Sequence, residues 1–341
     1  GRCPRNKLFY LCCLINGRIG VVLLGAMLLM FIYKISIRPP TNSTVLNFQK
    51  LIRNIKYDDN ISSNIPKNIS RDDHQSRDKL YVEFHFMDQG RLGNKMFNYA
   101  SLRGIGASLK HTPLWTRADP IFQLFEINHT KSVSPFRLDN QVFRYATQQG
   151  IYTESVVDIK NSSKNISIFG YVQSWKYFHN IADEIRREFT LQKDTADRVE
   201  AIFNELNVTS RVKVGIHVRR GDFLKFLWLT VAPKTYFDKA MEMFRKMLDN
   251  PVFIVCSDDL KWIEENVLAR DVLIVHESVF IDFGVLMSCD HSIVSSGSFG
   301  WWTGYLTKGT TIYFREKMYE FHPNDHYPPH WIAGTVTVFL K

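Results

Sequence analysis

Hydrophobic and polar positions alternate in blocks along the second half of the chain. The segments 212–218, 251–256 and 271–275 are short and rich in β-branched residues, as the buried strands of a parallel sheet are. Between them lie segments whose apolar residues recur at helical spacing, most clearly at 236–248. This alternation of strands and helices, which begins at residue 212, predicts a parallel, right-handed, doubly wound sheet.

The first half of the folded body carries a weaker form of the same pattern. Residues 80–86 alternate like a first strand, and a glycine-containing turn at 90–94 leads into an apolar helix. A strand is predicted at 168–175 and a helix at 177–189, whereas residues 104–166 look irregular and are expected to include surface loops. The predicted fold class is therefore α/β.

The N-terminal 78 residues differ from the body in composition. Residues 1–18 carry basic residues and no acid, and the apolar run that follows predicts a transmembrane signal anchor at 19–37. The positive charge in front of the anchor predicts that the tail 1–18 stays in the cytosol. A cleaved signal peptide is the alternative, but no small-x-small cleavage motif follows the run. Residues 38–78 are rich in Asn, Ser, Asp and Lys, which predicts a flexible stem.

Asn-x-Ser/Thr sequons recur along the chain, in the stem and in the body. They stand at Asn42, Asn60, Asn68, Asn128, Asn161, Asn165 and Asn207. Behind a membrane anchor, such a number supports N-glycosylation in the lumen of the secretory pathway. The sequence thus predicts a single-pass type II membrane protein whose folded body lies in the lumen.

Charge and cysteine content narrow the classes of partner. The net charge of +9 suits anionic partners such as nucleotide phosphates, but the basic residues are scattered and form no nucleic-acid motif, so nucleic acid is not expected as a partner. Cys256 and Cys289 are the cysteines of the body, and their apolar neighbours favour buried thiols over the alternative of one disulfide. The body has no Cys-x-x-Cys pair, His/Cys cluster or Asp-x-Asp pair, so no metal site is predicted.

Polar residues follow three of the predicted strands at the point where each strand ends. They are His217, Arg219, Arg220 and Asp222 after the first strand, Ser257, Asp258 and Asp259 after the second, and Ser295, Ser296 and Ser298 after the third. Ligands of open α/β sheets bind in the crevice outside these strand ends. Guanidinium forks suit a diphosphate, a carboxylate can accept from a ring N–H of guanine, and a serine-rich turn offers hydroxyls and amides to phosphate. Taken alone, each group of polar residues could serve only in helix capping or in ion pairs at the surface. The three groups taken together favour a nucleotide site.

Three motifs in this order resemble the galactoside α-1,2-fucosyltransferase family. They are Gly90-Arg-Leu-Gly-Asn94, Gly215-Ile-His-Val-Arg-Arg-Gly-Asp222 and Gly297-Ser-Phe-Gly-Trp-Trp302, within a resemblance that covers residues 80–341. The resemblance implies a GT-B-like fold of two Rossmann-type halves, the acceptor-side half at 79–206 and the GDP-fucose-binding half at 207–341. It also implies a Golgi enzyme that inverts configuration as it moves L-fucose from GDP-fucose to the 2-hydroxyl of a terminal β-galactose, without a metal or other cofactor. The alternatives are a transferase for another nucleotide sugar or acceptor and an inactive, membrane-anchored glycan-binding homologue.

The expected site combines the family's His-x-Arg-Arg-x-Asp motif with the other polar strand ends. The donor-binding residues would be His217, Arg219, Arg220, Asp258, Asp259, Ser295, Ser296, Ser298 and Phe299. Arg219 and Arg220 would hold the diphosphate, and Arg220 would also act in catalysis by stabilising the charge that develops on the leaving group. Asp222 or His217 would act as, or orient, the base, and both remain open. Arg91 and Asn94 would line the facing, acceptor-side half.

Overall fold

The computed structural model describes residues 80–84, 90–115, 119–127, 141–146, 150–159, 163–225, 230–315, 322–334 and 339–340. All of them belong to one compact unit, Gln75–Lys341. The predicted cytosolic tail, signal anchor and stem lie outside the described residues, as do the sequons at Asn42, Asn60, Asn68, Asn128 and Asn161. Within the described ranges, no helix is both long and apolar enough to cross a membrane.

The strands of the described residues form two sheets. The first contains β1 (Tyr81–Phe84), β2 (Thr112–Pro113), β3 (Gln141–Ala146) and β4 (Asn165–Gly170), in the order β2-β1-β4-β3. All its strand pairs are parallel. Val82, Ile166 and Ile168 point to one face of this sheet and are fully buried, because alternate residues of a strand share a face.

The second sheet is larger and carries the topology that matters for binding. It contains β5 (Lys213–Val218), β6 (Val252–Ser257), β7 (Val272–Ile274), β8 (His291–Val294), β9 (Thr311–Phe314), β10 (Ile332–Gly334) and β11 (Phe339–Leu340). The order is β11-β10-β9-β8-β5-β6-β7, with every pair parallel except β10 with β11. The chain moves outward from β5 in one direction and then returns to place β8 on its other side. The carboxyl ends of the adjacent strands β5 and β8 therefore form a topological switch point, where doubly wound sheets bind ligands.

Ten helices connect these strands in the described part of the chain. They are α1 (Leu92–Leu109), α2 (Ile121–Leu124), α3 (Glu154–Val157), α4 (Ala182–Glu188), α5 (Lys193–Glu205), α6 (Lys234–Met247), α7 (Leu260–Asn266), α8 (Val279–Met287), α9 (Ser298–Leu306) and α10 (Pro323–His326). Short 3₁₀ turns lie at Trp175–Tyr177, His179–Ile181 and Asp222–Lys225. The predicted doubly wound sheet from residue 212 onward is confirmed.

The two sheets share one aromatic core through α1 and α9. Phe97 of α1 lies with its ring centroid 4.4 Å from that of Trp301 and 5.1 Å from that of Trp302. Phe178 stacks on Trp302 at 5.5 Å, and Phe189 meets the same indole edge-on. Because these rings are buried on both sides, the helices of the two sheets pack as parts of a single hydrophobic core.

The expectation that residues 104–166 are irregular was wrong. This stretch holds the second half of α1 and the elements β2, α2, β3 and α3. Gly104 and Gly106 look like helix breakers in the sequence, yet each lets α1 approach a neighbouring backbone, Gly104 at Tyr177 and Gly106 at His111. In β3 the buried Arg144 donates to the Val156 carbonyl at 2.8 Å. A charged residue inside a strand interrupts the apolar pattern by which a strand is recognised in a sequence, so β3 was missed.

The structure also bears on the cysteines and the remaining sequons. Cys256 and Cys289 are separate, buried thiols, as their apolar neighbours favoured. Asn207 is exposed, whereas Asn165 is half-buried in β4 and its side-chain oxygen accepts from the Tyr81 N–H at 2.9 Å. Asn207 therefore presents its amide to solvent, and Asn165 takes part in the sheet.

Candidate active site

The register of the large sheet brings the three polar strand ends together. β5 pairs with β6 so that Val218 lies opposite Ser257, and with β8 so that His217 lies opposite Val294. Ser295 continues this alignment, since its N–H donates to the His217 carbonyl at 3.2 Å and its hydroxyl accepts from the Arg219 N–H at 2.8 Å. The carboxyl ends of β5, β6 and β8, which carry the three polar groups, thus lie side by side in the sheet.

Arg219 lies between two carboxylates. Its Nη1 is 2.6 Å from Asp258 Oδ2, and its Nη2 pairs with Asp222. The guanidinium also lies over the ring of Phe223, 5.3 Å from the centroid. Only 18% of the side chain is exposed, so these pairs are screened less than those of a solvated rim.

Arg220 is held in a different way, by two residues that follow β6. Its Nε is 3.2 Å from Asp259 Oδ2, and its Cζ lies over the ring of Trp262, 4.0 Å from the centroid. Asp259 is at the same time the N-cap of α7, accepting from the Trp262 N–H at 3.2 Å. Stacking and capping together fix the plane of the Arg220 guanidinium.

Asp222 joins the two sides of the crevice. It pairs with Arg219 from its own loop and with Arg91, which immediately precedes α1. Partial burial would raise the pKa of this carboxyl, but the guanidinium groups of Arg219 and Arg91 outweigh that effect and lower the pKa. Asp222 is therefore an anion at neutral pH, and 34% of its side chain is open to solvent.

His217 is the opposite case, a buried and neutral imidazole. Burial, reinforced by the charge of Arg219, lowers its pKa to about 4 despite the opposing carboxylate of Asp258. Its Nδ1 is 3.5 Å from the Ser295 hydroxyl, and its ring lies 5.2 Å from that of Phe299. Gly300 of α9 packs directly on the imidazole, where a Cβ atom would collide with it.

Asn94 and Ser298 meet across the crevice. The Ser298 hydroxyl donates to Asn94 Oδ1 at 2.6 Å, and Gln173 Nε2 donates to the same oxygen at 3.1 Å. Gly93 allows this approach, since a Cβ atom there would lie 2.5 Å from the Ser298 carbonyl carbon. These contacts tie the start of α1 to the start of α9 at the edge of the candidate site.

The structure separates the three serines that the sequence grouped. Ser295 supports the Arg219 backbone and Ser298 faces Asn94, as described above. Ser296 is fully buried, and its hydroxyl donates to the Thr230 carbonyl at 2.8 Å. The Ser296 hydroxyl thus holds the chain at residue 230.

Two residues of the site were missed by sequence reasoning. Gln173 lies inside the strand predicted at 168–175, whereas the observed strand β4 ends at Gly170, so the misplaced strand end hid Gln173 as a polar residue beyond it. Trp262 lies in the first turn of α7, a helix that the sequence pattern did not predict. Only the tertiary structure brings its ring to Arg220. Across the described ranges, no three His, Cys, Asp or Glu side chains are grouped as metal ligands would be.

Comparison with known proteins identifies the family. The model of glycosyl transferase family 11 matches residues 54–334. The chain belongs to glycosyl transferase family 11. The predicted resemblance to galactoside α-1,2-fucosyltransferases is confirmed by this match together with the relatives that carry that name.

Named relatives of this family 11 chain are similar over most of their length. Galactoside 2-alpha-L-fucosyltransferase Sec1 of Mus musculus is 30% identical over 277 residues, which cover 72% of each chain. Galactoside alpha-(1,2)-fucosyltransferase 1 of Homo sapiens is 30% identical over 272 residues, covering 72% of this chain and 73% of the relative.

Solved fucosyltransferase structures are more distant. A mutant of Arabidopsis thaliana FUT1 in complex with GDP has a TM-score of 0.49 at 14% identity, covering 75% of this chain and 76% of that one. The fucosyltransferase NodZ from Bradyrhizobium has a TM-score of 0.43 at 14% identity, covering 66% of this chain and 93% of that one.

Proposed function

We propose that the chain is an inverting fucosyltransferase that moves L-fucose from GDP-fucose to the 2-hydroxyl of a terminal β-galactose. The observation that carries this proposal is the pair of oriented arginines, Arg219 and Arg220, at the switch point of a doubly wound sheet. The names of the family 11 relatives, which are galactoside α-1,2-fucosyltransferases, supply the sugar and the linkage.

We infer a GT-B-like arrangement, with the acceptor-side half at 79–206 and the donor half at 207–341. Two observations support this division. All strands of the smaller sheet come from residues 81–170, and all strands of the larger sheet come from residues 213–340. Arg91 and Asn94 reach the crevice from the smaller half and Asp222 and Ser298 from the larger, so the donor and acceptor would meet between them.

The donor diphosphate would bind at Arg219 and Arg220, with Ser295, Ser298 and Phe299 at the same edge. Guanidinium groups supply the positive charge that stabilises GDP as it leaves the sugar, and both are already oriented by their neighbours. Asp258 and Asp259 are each engaged with one of these arginines, which favours a supporting role for them over a contact with guanine.

The geometry favours Asp222 over His217 as the base. His217 is buried and has a pKa of about 4, whereas Asp222 is accessible and ionised. A diphosphate would compete with Asp222 for Arg219 and Arg91, and release of these pairs raises the pKa of Asp222 toward its ordinary value. Asp222 would then take the proton of the galactose 2-hydroxyl. In the same step the hydroxyl oxygen of galactose bonds to fucose C1, and the C1–O bond to the diphosphate breaks.

The direct test is a panel of nucleotide sugars with the full-length chain in detergent. We expect GDP and a fucosylated product to be released only when GDP-fucose meets an acceptor with terminal β-galactose, and we expect an α-1,2-specific fucosidase to remove the fucose. Transfer from another nucleotide sugar would overturn the donor assignment. Binding of galactosyl glycans without any transfer would instead support the inactive, glycan-binding homologue.

We also propose a type II topology in the Golgi membrane, with the body in the lumen. The basic tail, the apolar run 19–37 and the exposed sequon at Asn207 support it. In sealed microsomes the body should resist added protease and lose mass on treatment with a glycosidase that removes N-glycans. Digestion of the body in intact microsomes would contradict this topology.

A further inference from the structure

Among the described residues, the three polar contacts of the Asp258 carboxylate all lie on the turn that carries the two arginines. Its Oδ1 accepts from the Arg220 N–H at 2.9 Å and from the Gly221 N–H at 3.2 Å. Its Oδ2 lies 2.6 Å from Arg219 Nη1. A single side chain after β6 thus holds both the backbone and the guanidinium of the segment after β5.

The turn is shaped to admit this carboxylate. A Cβ atom at Gly221 would lie 2.5 Å from Asp258 Oδ2, so any larger residue would displace the carboxylate from Arg219. Hydrogen bonds to a charged acceptor are roughly twice as strong as those between neutral groups. Their effect here is to fix the direction in which the Arg219 side chain leaves the turn.

Both carboxylate oxygens of Asp258 are therefore occupied by protein groups. Three of the roughly four acceptor positions of the carboxylate are used in this way, and the fourth, on Oδ2, lies beside Arg219. Movement of the carboxylate toward a guanine base would draw it away from the amides of Arg220 and Gly221 and from Arg219, which would loosen the turn.

We propose that Asp258 is a positioning residue, which aims Arg219 at the donor diphosphate and does not itself contact the nucleotide. The inference rests on the proposed function, since it assumes that Arg219 binds a diphosphate. It predicts that Asp258 acts through Arg219 and has no effect on recognition of the base.

The first measurement compares GDP with guanosine, which lacks the diphosphate, on full-length Asp258→Asn protein. Asn keeps one oxygen for the backbone amides and loses the charge that orients Arg219. We expect the Kd for GDP to rise about tenfold, with the Kd for guanosine unchanged and the melting temperature near that of the wild type. The KM for GDP-fucose should rise with it, and the KM for the acceptor should not.

Asp271→Asn is the matched control. Asp271 pairs with Arg245 at 2.7 and 2.8 Å, and 27% of its side chain is exposed, against 29% for Asp258. Asp271 directly precedes β7, at the amino ends of the strands, whereas Asp258 follows β6 at their carboxyl ends. Loss of this ion pair should leave the Kd for GDP unchanged.

A double substitution tests whether Asp258 works through Arg219. In an Arg219→Gln background, Asp258→Asn should change the Kd for GDP by less than about twofold, because coupled residues are not additive. If Asp258→Asn protein does not fold, Asp258→Glu serves in its place, since it keeps the charge and moves it by one methylene.

Three outcomes would overturn the inference. An unchanged Kd for GDP in folded Asp258→Asn protein is one, and an equal loss of GDP and guanosine binding is another, since it would assign the base contact to Asp258. The third is the same loss in the wild-type and Arg219→Gln backgrounds. Failure of the proposed function would look different, because wild-type protein would then neither bind GDP nor transfer fucose.

Discussion

Three arginines and three aspartates form ion pairs at the candidate site, and the exposure of each arginine side chain indicates how firmly it is held. Arg219 and Arg220 are mostly buried, at 18% and 15% exposure, whereas 73% of the Arg91 side chain is open to solvent. An exposed pair such as Arg91–Asp222 adds little stability, so it can be broken at small cost when a diphosphate enters. The buried pairs hold their guanidinium groups in place.

Arg220→Lys should remove most of the transfer activity while the protein remains folded. Lysine keeps the charge but loses the planar group that stacks on Trp262 and bonds Asp259, so the leaving group loses an oriented donor. We expect kcat/KM for GDP-fucose to fall about 100-fold or more. Arg245→Lys, in the ion pair at the other edge of the sheet, is the control, and near-normal kcat/KM in the Arg220 variant would refute its role.

Asp222→Asn should separate binding from catalysis. Removal of the carboxylate abolishes a base and also frees Arg219 and Arg91 from a competitor for phosphate. We expect transfer to be lost while GDP binds as tightly as to the wild type or more tightly, measured by calorimetry. Asp238→Asn, from an exposed pair with Lys234, is the control. Retained transfer by the Asp222 variant would return the role of base to His217.

At the scale of elements, the contact between α1 and α9 sets the geometry of the crevice. Gly93 in the first turn of α1 lies against the backbone of Ser298 and Phe299. Gly300, one turn into α9, lies against His217. Gly93 lets the backbones of α1 and α9 approach each other, and Gly300 lets the backbone of α9 approach the His217 ring. A side chain at either position would push the start of a helix away from the site.

Gly93→Ala should open this contact. The added methyl group would lie 2.5 Å from the Ser298 carbonyl carbon, so α1 and α9 must move apart. Overpacking of this kind costs about 1–3 kcal/mol of unfolding free energy, and we expect the KM for GDP-fucose to rise with it. Ala107→Ser adds one atom on the exposed side of α1 and should change neither quantity. Unchanged stability and KM in the Gly93 variant would show that the contact is loose.

At the scale of the whole molecule, the shared core couples the stability of both sheets to pH. His326 is buried, and burial lowers its pKa to about 4, although the bond between its Nδ1–H and the Gln173 carbonyl opposes the shift. Its ring stacks on Phe97 and its carbonyl accepts from the Trp301 indole N–H at 2.9 Å. A neutral imidazole is thus built into the junction of α1, α9 and α10.

Stability should therefore fall between pH 6.5 and pH 4. The unfolded chain binds a proton at His326 near its ordinary pKa of 6.5, whereas the folded chain does so only near 4, so the stabilisation is complete above pH 6.5 and is lost as pH falls. At pH 5 this amounts to about 2 kcal/mol. His217 contributes in the same direction.

His326→Asn tests this, because asparagine can donate to Gln173 and does not titrate. We expect lower stability at pH 7.5 but a smaller decrease between pH 7.5 and pH 5, measured by urea denaturation. An equal decrease in the wild type and the variant would exclude His326 as its source.

Sequence alone determined the class of fold, the motif set and the polar strand ends. Buried strands such as β5 and β6 carry long β-branched runs, and residues that follow such strands must lie at one edge of a parallel sheet. The family could be recognised for the same reason, since its motifs stand at those strand ends. Elements with mixed patterns, such as β3 with its buried Arg144, escaped prediction.

Only the tertiary structure decided which polar groups face each other. Asp258 lies 39 residues from Arg219 along the chain, and Asn94 lies 204 residues from Ser298. Such partners are chosen by the order of the strands and by the packing of α1 on α9, and local sequence carries no record of either. The burial that keeps His217 neutral and the pairs that keep Asp222 charged arise in the same way, because a pKa depends on surroundings that exist only in the folded chain.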